Sequence, residues 1–227
     1  MILSKKHKFI FIHVPKNGGI SFSSNFYNCK LNPHGCGVCD LREKYKNEEL
    51  QNSNHPFYHH STSSQVKNSL EKINLNIKDF FVFSFVRNPW AREVSMYKYL
   101  FWSAANDTYQ PWRDETSKLI KRYDTFEKYI LSQQNAFLEK GSYHFIPGAI
   151  APSTEWNKYV DKVYRLEEFD SALKDISSKI NIQLKPFSKN VSKIKKPYKD
   201  YYNKTTEQII AEKYAKDIEI FGYKFGE

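Results

Sequence analysis

The stretch Phe9-Ile10-Phe11-Ile12-His13-Val14-Pro15-Lys16-Asn17-Gly18-Gly19-Ile20-Ser21 decides the fold. Its four consecutive apolar residues read as a strand buried on both faces, and the glycines and hydroxyl beyond Lys16 release that strand into a helix. A strand is expected over residues 8–14 and a helix from Ser21 to about Asn28. Glycine lets backbone N–H groups crowd an anion, the helix N-terminus adds partial positive charge, and Lys16 supplies a full one. The segment therefore reads as a phosphate-binding turn. In a nucleoside-triphosphate P-loop the glycines precede the lysine; here Lys16 comes first, the wrong order for an ordinary ATPase or kinase. A simple strand-to-helix turn carrying a solvated lysine is the alternative.

A second segment repeats the design. Asp79-Phe80-Phe81-Val82-Phe83-Ser84-Phe85-Val86 is a near-continuous apolar run that ends in Arg87. Asn88 then supplies a helix cap and Pro89 a first helical residue, and Trp90, Val94, Tyr97 and Phe101 recur at helical spacing while Ser95 falls off that stripe. Arg87 offers a planar fork suited to a phosphate, and Ser95 adds a hydroxyl donor two turns on.

Elsewhere, Thr62 and Gln65 form a capping-box pattern for a helix running to about Lys72, and Pro56–His59 reads as a short strand. Further helices are expected over residues 116–123, 126–134 and 169–180, with a strand over Val160–Arg165. A last helix is expected to open on a capping box at Thr205–Gln208 and to run to about Asp217. This alternation predicts an α/β chain with a three-layer, P-loop-like fold, its central and mainly parallel sheet flanked by helices and its ligands at the strands' carboxyl ends. The 227 residues suit one domain, 1–227, with insertions at about 29–56 and 104–157.

The net charge of +10 favours acidic partners, nucleic acid, anionic glycans and membrane surfaces among them, without separating them. Six lysines, Lys185, Lys189, Lys193, Lys195, Lys196 and Lys199, fall in one segment. No stretch reaches the roughly 20 apolar residues that span a bilayer, and Met1–Lys6 leads into the first strand without a separate apolar region, so a soluble, cytoplasmic protein without membrane insertion is expected. Cys29, His34, Cys36 and Cys39 share one glycine-rich loop. Zinc sites normally pair two separated ligand couples, so reduced thiols or a single local disulfide are expected there and no metal.

Taken together, Phe11–Ser21 and Phe85–Ser95 resemble the two cofactor motifs of the carbohydrate sulfotransferase family, and Asn190–Ser192, Tyr201-Tyr202 and Tyr214–Tyr223 resemble that family's closing segment. The resemblance implies 3′-phosphoadenosine 5′-phosphosulfate as sulfuryl donor and adenosine 3′,5′-bisphosphate as product, with no metal required. It implies a 5′-phosphosulfate in the turn formed by Lys16, Asn17, Gly18, Gly19, Ile20 and Ser21, and a 3′-phosphate held by Arg87 and Ser95. Lys16 would neutralise charge on the leaving phosphate oxygen. A base must take the acceptor hydroxyl's proton; His60, in a segment similar to the family's His-x-Thr, is the candidate and His59 its competitor. Arg165 resembles the family's Arg-Phe-Glu arginine, with a strand-end salt bridge to Glu167 or Glu168 as its alternative role. Lys193, Lys195 and Lys196 with the Tyr198 ring would close over the nucleotide, or form a solvated basic loop.

Asn17 and Ile20 stand where that family usually has threonines, and Gly148 where a glutamine is expected after Pro147. The acceptor implied is a carbohydrate or another hydroxyl-bearing molecule, with no nucleic acid as partner. Two other functions fit parts of the pattern: a P-loop-like small-molecule kinase, and a basic nucleic-acid or glycan-binding module that would use the abundant tyrosine and phenylalanine for stacking.

Overall fold

Strands form where the apolar runs lie in the computed structural model, which describes residues 1–26, 37–38, 60–105, 124–135, 152–186 and 196–227. His59, the Pro56–His59 strand, the three cysteines with His34, the 116–123 helix, Gly148 and Lys193 lie outside the described residues, as does most of the 29–56 and 104–157 insertions. The chain divides into two compact units, Met1–Arg87 with Ser153–Val191 and Asn88–Pro152 with Ser192–Glu227.

The first unit is built on a sheet of strands β1 (Ile2–Ser4), β2 (Phe9–Ile12), β3 (Gly37–Val38), β4 (Phe81–Val86) and β5 (Lys162–Arg165), in the order β3-β1-β2-β4-β5. β2, β4 and β5 run parallel, as do β1 and β3, while β1 and β2 form an antiparallel hairpin. The sheet is therefore mixed, with three of its four pairings parallel. β1 is a departure from the expected lead-in at Met1–Lys6: its three-residue strand is too short for periodicity to declare itself.

Side-chain alternation sorts the strands' residues between the two faces. Leu3, Ile10, Ile12 and Val82 pack with Val66 and Leu70 of helix α2 (Ser63–Glu71) and with Trp156. Ile2, Phe9, Phe11, Phe83, Phe85 and Tyr164 pack with Phe22 of helix α1 (Gly19–Ser23) and with Ala172, Leu173, Ile176 and Ile180 of helix α5 (Phe169–Ile180). α5 spans Phe169–Ile180, as its apolar spacing predicts, and each of its buried side chains Leu173, Ile176 and Ile180 contributes about 1.5–3 kcal/mol. α2 opens on the expected capping box, with Gln65 N–H donating to Thr62 Oγ1 and Thr62 N–H donating to Gln65 Oε1.

The second unit holds helices α3 (Pro89–Ala105), α4 (Phe126–Asn135), α6 (Lys204–Lys213) and α7 (Ala215–Phe221). Asn88 caps α3 as expected, its Oδ1 accepting from Trp90 N–H at 3.1 Å and Ala91 N–H at 3.3 Å. The last helix departs from expectation twice. Its capping box is Asn203 with Thr206, two residues before the predicted one, and it breaks at Tyr214 into α6 and α7. The break brings Tyr214 onto Glu93, whose buried carboxylate also accepts from Tyr129 at 3.0 Å and Lys213 at 3.1 Å.

Among the described residues no helix is long and apolar enough to cross a membrane.

Candidate active site

β2 ends at Ile12, and the chain turns through His13–Gly18 into α1. Lys16 takes the left-handed conformation at φ 65°, and Gly18 does so at φ 78° as the helix's N-cap. A left-handed lysine is strained by its Cβ, so the surrounding turn must hold it. Two contacts explain the glycines. A Cβ on Gly18 would lie 2.3 Å from the Leu166 side chain, and one on Gly19 would lie 2.1 Å from the His13 ring.

Asn17 is the residue that sequence reasoning assigned to the ligand and the structure assigns a further task. Its amide Nδ2 donates to the Phe85 carbonyl at 3.0 Å and to Ser153 Oγ at 3.3 Å, and the residue is buried. The turn bearing Lys16 is thereby fastened to the end of β4, two residues before Arg87.

Lys16 and Arg87 are close enough to feel each other. Loss of water around the half-buried Lys16 ammonium, together with the Arg87 charge, lowers the lysine's pKa to about 8. Arg87 follows β4, and the neighbouring register pairs Val86 with Arg165, so that a second arginine sits at the adjoining strand end, half-buried. Leu166, next in the chain, covers Gly18.

His60 joins this group. Its Nδ1–H donates to the His13 carbonyl at 3.0 Å, and its ring lies 4.7 Å from the His13 ring and 6.3 Å edge-on from Trp156. Donation from Nδ1 makes Nε2 the basic nitrogen. Burial lowers the His60 pKa to about 3 against the raising effect of the carbonyl, and the Lys16 charge lowers it further. The ring is therefore held neutral throughout the physiological range.

Lys16, Asn17, Gly18, Gly19, Ile20, Ser21, His60, Arg87 and Arg165 thus all belong to the first unit, with Ile20 exposed. Ser95 and Tyr198 belong to the second. Ser95 is half-buried on α3, and the Tyr198 hydroxyl accepts from Gly226 N–H at 2.7 Å and donates to the Glu227 carbonyl at 3.2 Å. The same unit explains why the closing segment accompanies the second motif. The Asn88 amide donates to the Lys224 carbonyl at 2.9 Å, Trp90 Nε1–H to the Glu207 carbonyl at 3.0 Å, and the Tyr202 hydroxyl to the Trp90 carbonyl at 2.9 Å.

The chain matches the model of the sulfotransferase family over residues 1–224. The chain belongs to the sulfotransferase family. The activity that membership carries is sulfuryl transfer, and the acceptor is a hydroxyl-bearing molecule. No curated relative and no solved structure matches the chain. Within the described residues of this sulfotransferase no cluster of histidine, cysteine, aspartate and glutamate has the makings of a metal site.

Sequence reasoning missed His13. A histidine just past a strand end shows no periodic signal; only the ring's position behind Gly19 reveals what it does.

Proposed function

We propose that the protein transfers the sulfuryl group of 3′-phosphoadenosine 5′-phosphosulfate to a hydroxyl of a carbohydrate acceptor by in-line displacement. The observation that carries the reading is the Lys16–Arg87 pair: two cations, from a glycine turn and from the next strand end, near enough that the Arg87 charge adds to burial in lowering the Lys16 pKa. A nucleotide with phosphates on its 5′ and 3′ positions is the ligand such a pair suits. Phe9–Ile12 and Phe81–Val86 lie side by side in parallel and helices cover both faces, which supports the three-layer, P-loop-like reading of the fold. The whole chain would then work as a single sulfotransferase domain.

In this mechanism the 5′-phosphosulfate lies in the Lys16–Ser21 turn and the 3′-phosphate against Arg87, with Arg165 as a further nucleotide contact. The acceptor oxygen attacks sulfur while its proton passes to His60 Nε2. The S–O bond to the 5′-phosphate breaks, its electron pair stays on the phosphate oxygen, and Lys16 neutralises the charge that gathers there. The products are a sulfate ester and adenosine 3′,5′-bisphosphate. The donor's negative charge beside His60 opposes the effect of Lys16 and raises the histidine's basicity, so the base strengthens when the donor is present.

Thermal melting tests the reading. Adenosine 3′,5′-bisphosphate should raise the melting temperature, whereas ATP with magnesium and an oligonucleotide should not. Stabilisation by ATP–magnesium alone would indicate a kinase, and by the oligonucleotide alone a nucleic-acid-binding module.

A further inference from the structure

The His13 side chain occupies a place that neither the anion-binding turn nor the base accounts for by itself. It is buried, its ring stacks on Phe11 at 5.8 Å and 26°, and it lies directly behind Gly19, where an added methyl would come within 2.1 Å of it. Its other side meets the His60 ring at 4.7 Å and 59°. Its own carbonyl receives the His60 Nδ1 proton. One residue thus forms the floor of the glycine turn and the anchor of the histidine.

We propose that His13 is a positioning residue that couples the glycine turn to His60: its ring transmits the seating of Gly19 to the His60 imidazole while its carbonyl keeps the His60 proton on Nδ1. The inference rests on the sulfotransferase reading for its consequence in turnover, but the mechanical link it names exists without substrate.

Close packing makes such a link stiff. Interior side chains leave few voids, so a shift of Gly19 by a few tenths of an ångström is passed to the ring against it and not absorbed. The His60 ring also meets Trp156 edge-on at 6.3 Å, so it is held by two neighbours, and displacement of His13 changes the direction of the hydrogen bond that selects the tautomer. A histidine that loses this bond distributes its proton over both nitrogens, and the fraction carrying it on Nε2 cannot accept the hydroxyl proton.

The test uses the full chain, with His13→Ala, Gly19→Ala, the double variant and His13→Phe. Turnover is measured with the sulfuryl donor, and the tautomer of His60 is read from the ring-nitrogen shifts of ¹⁵N-histidine-labelled protein, with and without adenosine 3′,5′-bisphosphate. His13→Ala and Gly19→Ala should each lower kcat by at least about 10-fold and move the His60 proton partly to Nε2, with a smaller change in donor KM. In the His13→Ala background the Gly19 methyl has space, so the double variant should match His13→Ala alone. His13→Phe, which keeps a ring of similar size behind Gly19, should recover most of the turnover.

Multiplicative losses in the double variant, or an unchanged His60 tautomer in His13→Ala, would overturn the coupling. If either alanine variant fails to fold, His13→Phe against His13→Leu gives the same comparison of ring against no ring. Should wild type neither bind the bisphosphate nor turn over donor, the sulfotransferase reading fails, while the tautomer measurement still decides the His13 link.

Discussion

The Asn17 amide donates to the Phe85 carbonyl at 3.0 Å, so the turn that carries Lys16 and the strand that delivers Arg87 are held in fixed register. Deleting that amide leaves a buried carbonyl unsatisfied, at a cost of about 1–3 kcal/mol. Asn17→Ala should lower the melting temperature and weaken adenosine 3′,5′-bisphosphate binding by about 10-fold, measured by calorimetry. Asn17→Thr, which restores one donor, should lose less. Equal affinity in Asn17→Ala and wild type would show that the tether does not position the cations.

Lys16 sets a pH limit on anion binding. Its folded pKa of about 8 lies below its ordinary value, so the cation is present below pH 8 and is lost as pH rises through that value. Bisphosphate affinity should fall about 5-fold between pH 8 and 9, as the protonated fraction drops. Lys16→Arg keeps its charge over this range and should bind with a flat profile. A wild-type profile as flat as that of the arginine variant contradicts the assignment.

His60 makes an opposite statement at low pH. Its folded pKa of about 3 lies below the unfolded value, so between pH 6.5 and 3 the unfolded chain binds the extra proton and stability falls as pH falls. Urea unfolding of wild type should therefore weaken more steeply over that window than unfolding of His60→Gln. In turnover, His60→Ala should lose about 10²–10⁴-fold with bisphosphate binding retained. Retained turnover would move the base elsewhere, His59 being the first candidate.

Glu93 is the keystone of the second unit. Its carboxylate receives Tyr129, Tyr214 and Lys213 from α4, the α6–α7 break and α6, while Arg92 lies over the Tyr214 ring at 5.8 Å. Burial and the Glu93 charge push both tyrosine hydroxyls well up, so they remain donors at any ordinary pH. Glu93→Ala strips the anion from buried partners and should destabilise the protein by about 3–5 kcal/mol in urea unfolding. A loss below about 1 kcal/mol would place this network among weak surface pairs.

How far the sequence speaks depends on the length of the signal. β4 and α5 were legible because a run with five apolar residues in six and a four-residue helical stripe leave one burial pattern each. The caps at Thr62 and Asn88 were legible because a side-chain oxygen near the first turn has one evident use. β1 is too short to show a period, and Thr205 resembles a cap as well as Asn203 does, so tertiary packing chose between them. Arg92 and Glu93 carry no sequence signal of burial and are buried nonetheless, the Glu93 partners coming from residues 36 and 121 positions away. At the site, Lys16, Arg87 and His60 were legible as chemistry. The roles of Asn17 and His13 required coordinates, since a tether and a floor are contacts across the fold and leave no spacing in the chain.

The central claim is that one nucleotide is held at its two phosphate ends by Lys16 and Arg87. Calorimetry of adenosine 3′,5′-bisphosphate against adenosine 5′-phosphate, in wild type and Arg87→Ala, tests it most directly. Wild type should prefer the bisphosphate by about 10-fold or more, and Arg87→Ala should abolish that preference while still binding the monophosphate. An undiminished preference in Arg87→Ala would contradict the account.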